Sequence, residues 1–324
     1  MADHAAGDDI FVYTGGRAPQ HVVNAIIDES IDKIDDYAFC DNRNLRSVVC
    51  HDGLLKVGEW TFDNCRSLQR IKMPGVKVIG DGAFYECRSL THVELNKLET
   101  VGEAAFDGCT SLKRVKLPKV KTIGQNAFLG LNVEDAELGE DLETIGSGAF
   151  LGSKSKLRRI AIPLKDGLFQ WDDDEESYTQ FFGCHNLTTV DLVGGIHKTV
   201  ASLHLQSWRD EMTQEIQRIN QILPGTQSRE KTDVMRQWIQ SVIGKIDHYK
   251  AEHRALLKDA TTRLELALWD AKLENDKENK HSLEEPTAAK KAKIDVEEAR
   301  REARITSGAD IVIKNVLPFL MLVD

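Results

Sequence analysis

Phe62, Phe84, Phe106, Phe128 and Phe150 recur every 22 residues, each five positions after Val57, Ile79, Val101, Ile123 or Ile145. Glycine follows each of those aliphatic residues, at Gly58, Gly80, Gly102, Gly124 and Gly146. A fixed period of this length restricts the chain to a solenoid, in which a coil buries its apolar face only by stacking on the next. Function then has to come from positions that stacking leaves exposed.

The unit reads Leu-x-x-Val-x-Leu-Pro, a short turn, then Ile-Gly-x-x-Ala-Phe-x-x-Cys-x-x. Leu68, Ile71 and Met73 show its first part, as do Leu90, Val93 and Leu95, and then Leu112, Val115 and Leu117. Apolar and polar residues alternate there, which predicts a half-buried strand in each coil and a parallel sheet across coils. The glycine column requires either positive φ or close backbone contact. Ala83, Ala105, Ala127 and Ala149 leave room for the adjacent rings, and deleting one ring is expected to cost about 3–5 kcal/mol. Ile34, Phe39, Leu45 and Val48 make an early coil, and Phe181, Cys184, Leu187, Val190 and Leu192 a last one. Between Phe150 and Phe181 the spacing widens to 31 residues and admits Phe169, Trp171 and the acidic run Asp172–Glu176.

The repeated unit, as at Ile79–Leu90 and Val101–Leu112, resembles the BspA-type leucine-rich repeats over about residues 21–195. The resemblance implies a curved solenoid used for binding proteins, with no catalytic residues common to the family. The chain departs from the pattern at Asn132 and Val133 and at the acidic insertion. The expected fold class is therefore α/β: a leucine-rich-repeat solenoid, its parallel β-sheet on the concave face, followed by an α-helical C-terminal hairpin.

The period ends after residue 197, and Trp208, Met212, Ile216, Ile219 and Leu223 take up helical spacing until Pro224-Gly225. A nearly heptad stripe follows at Met235, Ile239, Val242, Ile246, Tyr249, His253 and Leu256. Leu203, Leu205 and Trp208 are candidates to cover the open end of the last coil, because solenoids need caps. The second helical pattern, to about Trp269, is the longer one, so its excess protrudes, breaks near Ala260-Thr261-Thr262 or finds another partner. The expected boundaries are an N-terminal segment 1–20, the solenoid 21–197, a helical hairpin cap or extension 198–274, a charged linker 275–304 and an apolar segment 305–324. Ile311–Val323 either packs back on the helical unit or serves as a docking peptide.

A net charge of −10 argues against nonspecific nucleic-acid binding. The first residues are acidic where a secretory signal would be basic, and Val316–Val323 is too short and too broken by Pro318 for a membrane span. These features predict a soluble protein of the cytoplasm or, through the basic patch Lys290-Lys291-Ala-Lys293, the nucleus. Cys65, Cys87, Cys109 and Cys184 share one repeat position, which reads as a small buried side chain rather than a disulfide framework.

The outward strand positions define two columns. One runs Arg70, His92, Arg114, Asp135 and Arg159; its neighbour runs Lys72, Glu94, Lys116, Glu137 and Ala161. Two readings stay open: the columns neutralise themselves across rungs, or they recognise a charged polypeptide through Arg70, Lys72, Arg114, Lys116 and Arg159. No catalytic, cofactor or metal site is expected. Gly146-Ser147-Gly148 with Gly152 misses dinucleotide spacing by one residue, and Asp172–Glu176 lacks the calcium-loop pattern. The sequon at Asn186 places Leu187 in the core, so glycosylation is not expected. The leading expectation is a noncatalytic protein–protein interaction scaffold that binds a polypeptide through the repeat face or the helical extension. The alternatives are a surface adhesion protein of BspA type and a structural protein self-associating through residues 235–268.

Overall fold

A computed structural model describes residues 10–152, 156–170, 179–194 and 205–280. Trp171, the run Asp172–Glu176, Leu203, the basic patch at Lys290 and the apolar segment Ile311–Val323 lie outside them.

Alternating residues become strands wherever each coil crosses the repeat face. The longer strands are β1 (Ile10–Tyr13), β2 (Asn24–Ile27), β4 (Ser47–Val49), β6 (Arg70–Lys72), β8 (His92–Glu94), β10 (Arg114–Leu117), β12 (Asp135–Leu138), β14 (Arg159–Pro163) and β15 (Thr189–Val193). Two-residue strands alternate with them: β3 (Lys33–Ile34), β5 (Lys56–Val57), β7 (Val78–Ile79), β9 (Thr100–Val101), β11 (Thr122–Ile123) and β13 (Thr144–Ile145). The short strands make one six-stranded sheet, extended by a parallel bridge from Ile145 to Phe169. The long strands form two sheets, β1-β2-β4-β6-β8 and β10-β12-β14-β15, with parallel pairing throughout among the described residues.

Between the sheets, seven phenylalanines stack in one file. Phe39, Phe62, Phe84, Phe106, Phe128, Phe150 and Phe181 follow at centroid spacings of 5.1–5.6 Å, with neighbouring planes within 23°. All seven are buried. Parallel in-register coils force equivalent rings to meet nearly face to face, in the offset-stacking range.

The glycine column is explained by close approach, not by positive φ. A Cβ on Gly102 would sit 2.6 Å from the backbone of Gly80 and Asp81, and one on Gly124 would sit 2.7 Å from Gly102 and Glu103. A different column carries positive φ: Tyr37, Trp60, Gly82, Ala104, Asn126 and Gly148. The coils from Phe39 to Phe150 turn through the left-handed region there, whichever residue occupies it.

The cysteines have a specific structural use. The Cys65, Cys87, Cys109 and Cys184 thiols donate to the carbonyls of Phe39, Phe62, Phe84 and Phe150 at 3.0–3.1 Å, so each satisfies a backbone acceptor of the preceding coil. All six cysteines are free and buried, and desolvation pushes the Cys50 thiol up to about 12.

Helix α1 spans Leu205–Ile222, and α2 spans Lys231–Lys280, past residue 274. The described residues through Ile246 belong to one compact unit with the coils; Asp247 onward belongs to a second. Within the first unit α1 packs on β15, and Met212, Ile219, Leu223, Met235, Trp238, Ile239, Val242 and Ile246 are buried. Lys245 ties the two helices together through Glu211 at 2.8 Å and Glu215 at 2.7 Å. In the second unit α2 does not break at Ala260-Thr261-Thr262. The Thr261 and Thr262 hydroxyls donate to the Lys258 carbonyl at 3.0 and 2.8 Å, so both polar side chains are satisfied within the helix.

Candidate functional site

The side chains that leave the core on the long strands form the exposed surface of interest. Register places Arg70 beside His92 and Lys72 beside Glu94 in one sheet. In the other it places Arg114, Asp135 and Arg159 in a row, with Lys116, Glu137 and Ala161 alongside. Each expected column is therefore two shorter ones, because no described pairing joins β8 to β10. Val93, the inward residue of β8, is only half-buried, whereas Ile71 and Val115 on the flanking strands are buried. The weaker burial falls where the sheet divides.

The rows self-neutralise in part. Lys72 meets Glu94 at 3.2 Å and Lys116 meets Glu137 at 3.1 Å, all four well exposed. Such pairs orient side chains but contribute little stability. Arg159 is engaged more fully, with Nη1 at 2.8 Å from Asp135 and Nε at 2.5 Å from Asp191. Its bonds to Asp135 and then Asp191 hold its pKa above the ordinary guanidinium value. Arg159 is thus committed within the chain.

Ala161 departs from expectation: it is 1 % exposed, not an outward surface residue. The burial pattern of β14 is continuous after Arg159, unlike the alternation in β10. The adjoining strand β15 carries α1, so this end of the face lies next to the helical packing.

Arg70 and Arg114 remain. Both are exposed, and no ion pair to either occurs among the described residues. His92 contacts Thr91 Oγ1 through Nδ1 at 2.9 Å.

Toward the N-terminal end the same face becomes apolar. Val12, Ile26 and Val49 occupy successive rungs in register with Lys72, at 50 %, 37 % and 56 % exposure, and Ile10 stands beside them at 56 %. Sequence reasoning started the outward columns at Arg70 and missed these residues. The signal was available: Ile26, Val49 and Lys72 are 23 residues apart, and Val49 follows the inward Val48.

The ends of the array carry further residues that pattern-reading missed. At the C-terminal edge the Asn220 amide pairs with Val190, accepting its N–H at 2.8 Å and donating to its carbonyl at 3.2 Å. Lys231 is fully buried and gives its ammonium to the carbonyls of His185, at 3.2 Å, and Leu187. Burial lowers the Lys231 pKa below the ordinary lysine value. At the other end the Tyr13 hydroxyl lies 3.0 Å from Asp35 Oδ2 and accepts the Asp35 N–H at 3.1 Å. Desolvation pushes that phenol up to about 12.

Among the described residues there is no group of three His, Cys, Asp or Glu suited to a metal ion, and no helix long and apolar enough to cross a membrane. What the geometry defines is a parallel β-solenoid of leucine-rich-repeat type with a helical end. The sequence pattern described as the BspA type Leucine rich repeat region matches in six copies, over residues 20–128 and 77–198, and the chain belongs to that family. No curated protein matches it. Among solved structures it is similar to a Treponema pallidum leucine-rich-repeat protein at 22% identity, covering 64% of this chain and 87% of the other, with a TM-score of 0.37. A Bacteroides ovatus leucine-rich-repeat protein matches at 22% identity, with 57% and 65% coverage and a TM-score of 0.34. A leucine-rich cell surface protein of Faecalibacterium prausnitzii matches at 22% identity, with 57% and 64% coverage and a TM-score of 0.36. The chain spans just under two thirds of the latter two.

Proposed function

We propose that this protein is a noncatalytic scaffold that binds a polypeptide partner through the long-strand face of its repeats. The observation that carries the reading is the pair of exposed arginines, Arg70 and Arg114, without a counter-ion among the described residues, on a face whose other charges are largely paired. A guanidinium presents a planar fork suited to carboxylates, and each of these two is carried by a sheet strand, β6 or β10, that places it before the ligand arrives. Family membership supports a repeat scaffold as the framework.

The test is capture of a polypeptide partner by the full-length protein, compared with the double variant Arg114→Glu/Lys116→Glu. The reading expects capture to be lost and the thermal midpoint to be unchanged, since both side chains are exposed. Retained capture by the double variant would sink it.

A second reading, self-association through α2, is favoured by one observation. The stripe Met235, Ile239, Val242 and Ile246 is already buried within the first unit, but Leu264, Leu266, Leu268 and Trp269 stand 37–70 % exposed farther along. An oligomer that becomes monomeric on Leu264→Asp/Leu268→Asp, with partner capture intact, would assign self-association to the helix and recognition to the repeats.

A further inference from the structure

We propose that the partner segment is extended and amphipathic in a particular order: apolar side chains that lie on Ile10, Val12, Ile26 and Val49, adjoining carboxylates that reach Arg70 and Arg114. This deepens the reading above and rests on it.

The argument begins with the order of residues on the face. Strands β1, β2 and β4 bring four aliphatic side chains, each more than a third exposed, onto adjacent rungs. The next strand, β6, puts Arg70 in register with Ser47 and Lys72 in register with Val49. Ser47 Oγ is itself bonded to Asn24 Oδ1 at 2.7 Å, in the column that runs from Ile10 to Arg70 alongside the patch. Lys72 is held by Glu94, which leaves Arg70 as the first cation along these two columns without a described counter-ion. His92 and then Arg114 lie beyond it.

Exposed aliphatic side chains grouped this way favour burial by a partner. They do not resemble the protected edge of a sheet, which is normally blunted by lysine, proline or a bulge. Ile10–Tyr13 has none of these. Charge complementarity selects the rest of the ligand. A basic segment would meet Arg70 and Arg114 unpaired, whereas a carboxylate meets two guanidinium groups that no described carboxylate engages. The chain as a whole carries −10, so an acidic segment is recognised at short range, inside the screening length, rather than drawn from afar.

Spacing makes the proposal specific. Rungs lie about 4.8 Å apart, so β1 to β4 spans about 10 Å and β6 lies about 5 Å farther. At roughly 3.3 Å per residue an extended chain crosses the patch in about three residues and meets Arg70 about two residues later. Arg114 stands on β10, the first strand of the next sheet, so the acids that follow continue toward it.

The experiment uses full-length protein and three fluorescent synthetic peptides. The parent is Val-Ser-Ile-Ser-Asp-Glu-Ser-Asp-Glu; one control replaces its acids with lysine, the other its aliphatic residues with serine. Anisotropy titrations should show the parent binding at least about tenfold more tightly than either control, a difference of about 1.4 kcal/mol. Raising salt should weaken the parent and leave the difference made by the aliphatic residues in place. Arg70→Glu/Arg114→Glu should lower parent affinity by about tenfold or more, and Val12→Ser/Val49→Ser should also lower it, with circular-dichroism melts confirming that each variant is folded. If a charge-reversed variant does not fold, Arg70→Gln/Arg114→Gln serves in its place. Equal binding of acidic and basic peptides, preference for the basic one, or no binding of any overturns the proposal. Partner capture that depends on Arg114 and Lys116 while the peptides fail would sink only the partner chemistry; loss of that dependence would sink the scaffold reading itself.

Discussion

The two ends of the repeat array solve the same problem differently. Every solenoid exposes a sheet edge at each end, with backbone groups that need partners. At the C-terminal end a helix side chain takes the place of the next strand: Asn220 offers Val190 one acceptor and one donor, and Lys231 supplies protons to two more carbonyls of the last coil. At the N-terminal end the first described strand is β1, whose partner is β2 and whose inward Tyr13 locks onto Asp35 and Gly16. The comparison teaches that the helices do not merely follow the repeats. They complete the last coil, and the first coil keeps an apolar face that the last one lacks.

If the C-terminal end depends on buried polar contacts, breaking them should cost most. Lys231→Met removes the ammonium from two carbonyls of the last coil and should destabilise by about 2–4 kcal/mol, read by urea unfolding. Lysine at a helix start also opposes the helix dipole, so a neutral cost would show that burial and dipole had already cancelled the benefit. Asn220→Ala exposes both Val190 groups and should cost about 2 kcal/mol, with faster amide exchange in β15 and unchanged exchange in β2. Tyr13→Phe, the corresponding change at the other end, should cost about 1 kcal/mol and perturb exchange in β1 and β2 only. A larger effect than that of Asn220→Ala would reverse the comparison.

The smallest effect concerns acid. Burial works to raise the Glu215 carboxyl, but Lys245 and Arg218 hold it below the ordinary glutamate value. A folded pKa below the unfolded one means that the group stabilises above pH ~4.5 and that its contribution is lost as pH falls through the folded value. The melting difference between wild type and Glu215→Gln should therefore be present at pH 7 and shrink by pH 3.

The phenylalanine file, the buried cysteines and the strand registers were legible because a fixed period repeats each signal many times. The division between β8 and β10 was not, since the sequence there keeps the repeat and only Val93 shows weaker burial. Lys231 was illegible for a different reason. A lysine is rarely fully buried, and its acceptors are backbone carbonyls, which leave no mark in a side-chain pattern. Asn220 is similar: its partners are the main-chain groups of one residue 30 positions away. At the candidate face the charges could be placed by register, but their pairing could not. Arg159 reads like Arg114 in the sequence, yet Asp135, in register with both, pairs with Arg159, and Asp191, on a strand reached through the insertion, adds a second carboxylate.

Hydrogen–deuterium exchange of the full-length protein, with and without a partner polypeptide recovered through Arg114-dependent capture, tests the central claim most directly. The account predicts added protection across β1, β2, β4, β6, β8 and β10, with α1 and α2 unchanged. Protection confined to the helices, with the repeat strands exchanging as before, would contradict it.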